Sequence, residues 1–427
     1  MKGFGWTERF QFLATRGALA TLGFARTILV IRLLSTNDYA LLAVAESVRM
    51  VVTVVAGVGI SEAIAREGSI ENDRARLRIL VGVGLAHTAM FSVAATVAMI
   101  AFALIAPFVL AIDARLPAAL VLAAGVVLTE RFWGYFQSCT QAMHDFRTYS
   151  ISLFTHGVSI AVLTVALTAE HNVAGYFTAQ TAVNGLGALG LGIFTLRRIG
   201  LPKLKTIAEH WRSVGQQLWP VAWFAYVSKC SLILWRRLPI IVGAGWIAPP
   251  MLGTIAATLD LTSKLHLAHE SLAPIILPKL AKQRRDHPDT YVSAARTEIR
   301  RSMAMNGAIF LIATLLWIGM GRLIVGPERW NEIGAFFYLA LVIELVLLVT
   351  NVISVCVLLP TRALSGLSSV TFISRILVAP FLLLLLWNSI DGTLATFAAM
   401  VGSGLTLVAA YFSRARRTLR AHTSDAL

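Results

Sequence analysis

The sequence predicts an all-α polytopic membrane protein of about twelve transmembrane helices, and three observations predict it. Of the 427 residues, 57% are apolar and only 14% are charged, against roughly 25% charged in an ordinary soluble domain. The apolar residues gather into runs long enough for the ~20-residue helix that a ~30 Å hydrocarbon core requires. Lys and Arg fall almost entirely in alternate breaks between those runs. Together these exclude a soluble globular enzyme, a disordered chain and a disulfide scaffold. The 37 basic and 22 acidic residues give a net charge of +15. A nucleic-acid binder does not carry this apolar load, so nucleic acid is not an expected partner and membrane lipid is.

The runs lie at 12–34, 39–62, 79–106, 118–138, 149–168, 174–196, 214–242, 251–278, 302–320, 333–359, 363–387 and 393–413. Met1 to Arg16 is polar-aromatic, with Lys2, Arg9 and Arg16, which are counted with the N-terminal tail although Arg16 falls inside the first run. That run is longer than a signal-peptide core and lacks an A-x-A cleavage site, so it reads as a retained first span. Turn-like breaks separate later runs, as at Ser35-Thr36-Asn37-Asp38, Glu170-His171-Asn172, Pro249-Pro250, Gly326-Pro327 and 388–392. If the N-terminus is cytoplasmic, twenty-five cations lie in the tails and even-numbered loops. Only Arg115, Arg322 and Arg329 lie in the odd loops. This bias supports an even span count with both termini cytoplasmic.

The basic stretch 198–212, containing Pro202, divides the spans six and six. The expected organisation is an N-terminal lobe 1–197, a linker 198–212, a C-terminal lobe 213–413 and a basic tail 414–427. Two six-helix repeats around a midplane site are a recurring transporter plan. The three cysteines, Cys139, Cys230 and Cys356, are isolated and carry neither disulfide nor metal spacing. Walker, H-E-x-x-H and nucleophile-elbow motifs are absent, and no extramembrane segment exceeds roughly 25 residues. Neither enzyme chemistry nor a cofactor or metal is implied; binding and movement are.

Nine cations remain inside spans: Arg26, Arg32, Arg49, Arg131, Lys229, Arg236, Arg237, Lys264 and Arg375. Each costs at least ~2.5–3.5 kcal/mol at a helix centre. Against them stand six in-span acids, Glu46, Glu62, Glu130, Asp260, Glu270 and Glu344. A surplus of cations facing a cavity suits an anionic cargo. Arg26 has no acidic residue in its own span and reads as a cavity residue, with Thr15 three turns away on the same face. Glu46 and Arg49 stand at i,i+3, where they either neutralise one another or leave Arg49 for cargo. Trp219, Ala222, Tyr226, Lys229, Ile233 and Arg236 form one stripe. Its aromatics suit sugar faces and its cations suit phosphate oxygens; Trp219 and Arg236 also fit interfacial belt and snorkel roles. Asp260 and Lys264 at i,i+4, near His266, His269 and Glu270, read as a structural ion pair or as a proton-sensitive site. His87 and His156 read as core histidines, and Glu344 and Arg375 as an inter-helix pair.

Three segments carry a family resemblance. Leu22-Gly23-Phe24-Ala25-Arg26, Leu33 to Ala40 and Gly57 to Arg66 resemble the opening of polysaccharide-biosynthesis flippases. These belong to the multidrug/oligosaccharidyl-lipid/polysaccharide (MOP) exporter superfamily. Ala142 to Arg147 is similar to that family's basic-aromatic loop after span 4, and Leu272 to Ala281 to its Pro-containing end of span 8. Ala40 stands where the family usually has Gly. The resemblance implies a MATE-like fold and a bacterial inner-membrane location. It further implies a flippase that carries a polyprenyl-pyrophosphate-linked oligosaccharide outward, with glycan polymerase or glycosyltransferase partners. It supports Arg26, and more loosely Arg49, as cationic cavity residues beside Lys229, Tyr226 and Arg236. Two other readings stay open: a cation-coupled multidrug antiporter, and a non-transporting scaffold of a glycan-synthesis complex.

Overall fold

The computed structural model describes residues 6–71, 73–110, 113–200, 202–266, 287–358 and 367–424, with Ile276, Leu280, Gln283, Arg284 and Asp286. These residues are predominantly helical, with no β-strand among them. Among the described residues seven helices are long and apolar enough to cross a membrane. Their outward surfaces are apolar: Leu104 is 73% and Phe108 88% exposed. Water would not tolerate such a surface, and lipid requires it. The chain is a multi-pass membrane protein.

Contacts divide it into two compact units, Met1–Pro249 and Pro250–Leu427. Unit 1 holds α1 (Trp6–Leu33), α2 (Thr36–Gly57), α3 (Ile60–Ile70), α4 (Arg74–Val109), α5 (Leu116–Ala142), α6 (Phe146–Ile199) and α7 (Leu204–Gly243). The Ser35 hydroxyl caps α2, accepting from the Asp38 amide at 3.1 Å and donating to its carboxylate at 2.7 Å. The expected span 39–62 is two helices, because Val58 (φ 43°) and Gly59 (φ 69°) are left-handed. At Asn172 (φ 52°, ψ −133°) α6 breaks into two limbs, so one assigned helix supplies two expected spans.

The division by contacts falls at Pro249, beyond the basic stretch 198–212. Basic charge does not stop a helix, and α7 begins inside that stretch at Leu204. Its buried Leu218 and Ala222 join the core made by Ile64, Val81, Tyr135 and Cys139. There the Tyr135 hydroxyl donates to the Val81 carbonyl. The first unit therefore includes α7. The expected tail is likewise largely helical, continuing the last helix to Ser424.

Unit 2 holds α8 (Pro249–Ser263, whose first residue closes unit 1), α9 (Pro288–Val325), α10 (Pro327–Ile353), α11 (Leu367–Ile376), α12 (Val378–Trp387) and α13 (Gly392–Ser424). A 3-10 turn, Lys264–His266, follows α8, and a π-helical turn, Ser354–Leu358, follows α10. Buried Tyr291 of α9 donates to the Cys356 carbonyl at 3.2 Å, tying α9 to that π-turn. Thr371 of α11 bonds Tyr411 of α13 at 3.1 Å. The Pro-containing motif 272–281 lies outside the described residues except for Ile276 and Leu280, as do His269 and Glu270.

Candidate functional site

The densest charge cluster lies inside unit 1. One turn apart on α2, Glu46 and Arg49 meet in a two-pronged pair, Nε to Oε2 at 2.7 Å and Nη2 to Oε1 at 2.7 Å. The third guanidinium nitrogen, Nη1, donates to Glu130 of α5, with Thr53 Oγ1 at 3.5 Å. Arg49 is only 5% exposed. An unsatisfied guanidinium so deep would be prohibitive, and two carboxylates compensate it. In this arrangement every guanidinium nitrogen of Arg49 has a protein partner.

The adjacent residue of α5, Arg131, donates to the Gly57 carbonyl at 3.2 Å, satisfying one open carbonyl at the end of α2. A Cβ on Gly57 would lie 2.6 Å from that guanidinium, so the bare backbone admits it. Beyond the left-handed turn, Glu62 of α3 pairs with Lys229 of α7. Arg131 adds a second favourable field at the same carboxylate. Gly59 makes this crossing possible. Its φ of 69° suits glycine, and a Cβ there would collide with the Ala222 carbonyl. Two helical turns beyond Ala222, α7 presents Lys229. The Lys229 side chain is 56% exposed and that of Glu62 34%. Glu46, Glu130 and Glu62 are thus matched in number by Arg49, Arg131 and Lys229.

Arg26 stands outside that balance. It is partly buried on α1, and among the described residues it makes no hydrogen bond or ion pair. It lies within electrostatic range of His156 on the first limb of α6. The His156 ring stacks on Trp133 at 4.1 Å and bonds Asn184 of the second limb at 2.8 Å. Trp133 and His156 line a cavity of about 520 Å³ whose wall also includes Ser152, Thr155 and Gly187. His156 is therefore hydrogen-bonded at a cavity wall. His87 bonds its own helix at 3.0 Å and stacks on Trp211 at 3.6 Å.

The α7 stripe divides in the structure. Ala222 is fully buried, whereas Trp219 is 48% exposed. Tyr226 lies 5.6 Å from Trp223, which stacks on Trp219 at 5.8 Å, so an aromatic ladder precedes Lys229. Arg236 is partly buried farther along α7. Asp260 sits on α8 of unit 2, and Lys264 opens the 3-10 turn rather than continuing that helix. Glu344 and Arg375 are both buried in unit 2. All three cysteines are free and buried. Among the described residues no group of three or more His, Cys, Asp or Glu could hold a metal ion.

Sequence reasoning did not assign site roles to Glu62, Glu130 and Arg131. Their signal was present, because each is a charge inside an apolar run and Glu130-Arg131 are consecutive. Outside the spans, two carboxylates are tuned. Burial works to raise Asp145, but hydrogen bonds from Thr148 and the guanidinium of Arg198 outweigh it and hold the carboxyl below its ordinary range. Asp113 is held low chiefly by the Arg115 hydrogen bond.

No protein-family model matches the chain, and a search of curated proteins finds no match. Solved structures do match in fold. An inward-facing multidrug resistance MATE family transporter of the MOP superfamily superposes with a TM-score of 0.67 at 12% identity, covering 96% of this chain and 99% of its own. The lipid II flippase MurJ, in an inward closed conformation, gives 0.65 at 13% identity, covering 97% and 90%. The eukaryotic MATE transporter AtDTX14 gives 0.63 at 12% identity, covering 99% of each chain. The all-α, MATE-like architecture is thereby established for this chain.

Proposed function

We propose that the protein is a flippase that moves a polyprenyl-pyrophosphate-linked oligosaccharide from the cytoplasmic to the outer leaflet of a bacterial inner membrane. The similarity in fold to a lipid II flippase and to MATE transporters supports a transport role. One observation carries the choice of an anionic cargo. In unit 1 the carboxylates Glu46, Glu62 and Glu130 are balanced by Arg49, Arg131 and Lys229, while Arg26 is left without an acidic partner among the described residues. A cation-coupled drug antiporter needs the reverse, an unmatched carboxylate.

In this reading Arg26 makes the first contact with pyrophosphate. Lys229, half-exposed, is released from Glu62 to make the second. Tyr226, with Arg236 beyond it on α7, guides the sugar-phosphate portion. Arg49 holds α2 to α5 and offsets Glu46 and Glu130. Exchange between leaflets follows alternating access. Outward movement of net negative charge gains ~2.3 kcal/mol per charge per 100 mV of inside-negative potential.

The test is reconstitution of the full chain in vesicles, with protein-dependent translocation of a lipid-linked saccharide as the readout. Arg26→Ala is expected to lower the rate at least tenfold and Arg26→Lys to restore part of it. Absence of translocation by the wild-type protein overturns the flippase reading, which a non-transporting scaffold would also predict. Wild-type rates in Arg26→Ala overturn the site assignment.

A further inference from the structure

A second cavity, of about 510 Å³, lies wholly inside unit 2 and is unused by the function proposed above. Three helix faces build it. From α9 come Arg296 and Met303, two turns apart on one face; α10 supplies Val349 near its end; α13 supplies Phe412, Arg416 and Leu419. Its floor is apolar, and guanidiniums come from α9 and α13. Both arginines are exposed, and among the described residues neither forms an ion pair. The start of α9 and the end of α13 are also the cation-rich ends of their helices, with Arg300, Arg301, Arg414 and Arg417 nearby. Glu298, the acid on the same turn of α9, is buried and faces Arg301 at 3.8 Å. Cation-rich ends of spans lie on the side where anionic lipid headgroups concentrate.

We propose that this groove is a binding site for an anionic phospholipid. Its acyl chains lie along Met303, Val349 and Phe412, and its phosphate is held by Arg296 and Arg416. Charge complementarity selects this occupant. A zwitterionic lipid would fill the apolar floor equally well but would bring its own cation to the guanidiniums. A detergent or a neutral peptide would leave both arginines unanswered. Basic pockets between membrane helices hold phosphate headgroups in this way.

The test uses the full chain in non-ionic detergent, with phosphatidylglycerol and phosphatidylcholine of identical acyl composition as probes. Native mass spectrometry reads the lipid copies retained, and thermal unfolding reads the stabilisation that binding confers. The wild-type protein is expected to retain phosphatidylglycerol preferentially. Arg296→Gln combined with Arg416→Gln is expected to weaken retention about 30-fold. Arg300→Gln combined with Arg417→Gln, which removes equal charge outside the groove, leaves it within about threefold. Met303→Trp, with both arginines intact, also lowers retention by filling the floor. If the double glutamine variant does not fold, the Arg296→Lys and Arg416→Lys pair is read instead and is expected to keep the preference. Equal retention of the two lipids overturns the proposal, as does equal loss in both glutamine pairs. One-for-one displacement of phosphatidylglycerol by a lipid-linked saccharide also overturns it, because the groove would then belong to the cargo.

Discussion

Substituting Arg49 by Met removes the one cation that two carboxylates share, and the structure sets the size of the effect. Glu46 has 14% of its side chain exposed and loses both of its short bonds. Breaking a buried pair in this way costs about 3–5 kcal/mol. Glu130 is 38% exposed and can rehydrate, so its share is small and the total falls near ~3 kcal/mol. For a unit of this size that corresponds to a fall of roughly 6–12 °C in melting temperature. The free thiols supply the assay. Cys139, Cys230 and Cys356 are all buried, so labelling with a fluorogenic maleimide during heating reports loss of packing. Adding Glu46→Gln to Arg49→Met removes the stranded charge and is expected to recover about half of the loss. A melting temperature within ~2 °C of wild type for Arg49→Met would refute the reasoning. So would a double variant whose loss equals the sum of the two singles, since coupled partners are not additive.

Gly59→Ala is expected to cost at least ~2 kcal/mol, because it meets both a left-handed backbone and the Ala222 carbonyl. Gly17→Ala, with nothing within 4 Å of the added Cβ, is neutral or stabilising by up to ~1 kcal/mol, and the same thiol-labelling melt compares them. The Asp145 carboxyl is held low in the folded state, so its contribution is complete above the ordinary carboxylate pKa of ~3.9 and is lost as pH falls through the lower folded value. Asp145→Asn keeps the cap to the Thr148 amide and loses the Arg198 pairing, so it is expected to melt lower at pH 7, by ~0.5–1 kcal/mol. That gap should close as pH falls through the lowered folded-state pKa of Asp145. Glu62→Gln releases Lys229, and in the vesicle assay it is expected to lower the half-saturating concentration of lipid-linked saccharide about threefold. An increase would count against Lys229 as a pyrophosphate ligand.

The spans were legible because a bilayer imposes length and polarity together. An apolar run between charged breaks has few alternatives to a helix. Breaks carrying polar residues were legible too: Ser35 to Asp38 became a cap, and Asn172 became the hinge of α6. The break at Val58 and Gly59 was not, because it lies within an apolar run and depends on a backbone conformation that the pattern does not encode. The start of α7 was not legible for a related reason. Basic residues mark a membrane face without ending a helix, so the 198–212 stretch became largely the start of α7. In the candidate site, only the local pair was readable. Glu46 and Arg49 share a helix face by spacing alone, whereas Lys229 meets a carboxylate 167 positions away. That partner becomes visible only once Gly59 lets α7 approach α3.

The two kinds of cation in this cluster suit two different tasks. Arg49 presents a planar fork that two carboxylates saturate, and its burial removes the water a competing anion would need to exchange with it. Lys229 is a compact point charge on a flexible stem, 56% exposed, holding a carboxylate that is itself one-third exposed. At an effective dielectric of about 20, a unit pair 4 Å apart is worth about 4 kcal/mol, and a doubly charged anion at the same distance about twice that. In the proposed function such an anion would approach an ammonium that already faces solvent and displace Glu62. It cannot reach the guanidinium of Arg49 without first opening α2 from α5. Exchange at Lys229 also leaves Glu62 beside Arg131, which acts on the same carboxylate and limits the cost of releasing it. The cluster is thus closed at Arg49 and solvent-facing at Lys229, and in the proposed function Arg26 would supply the unmatched positive charge that draws an anion in.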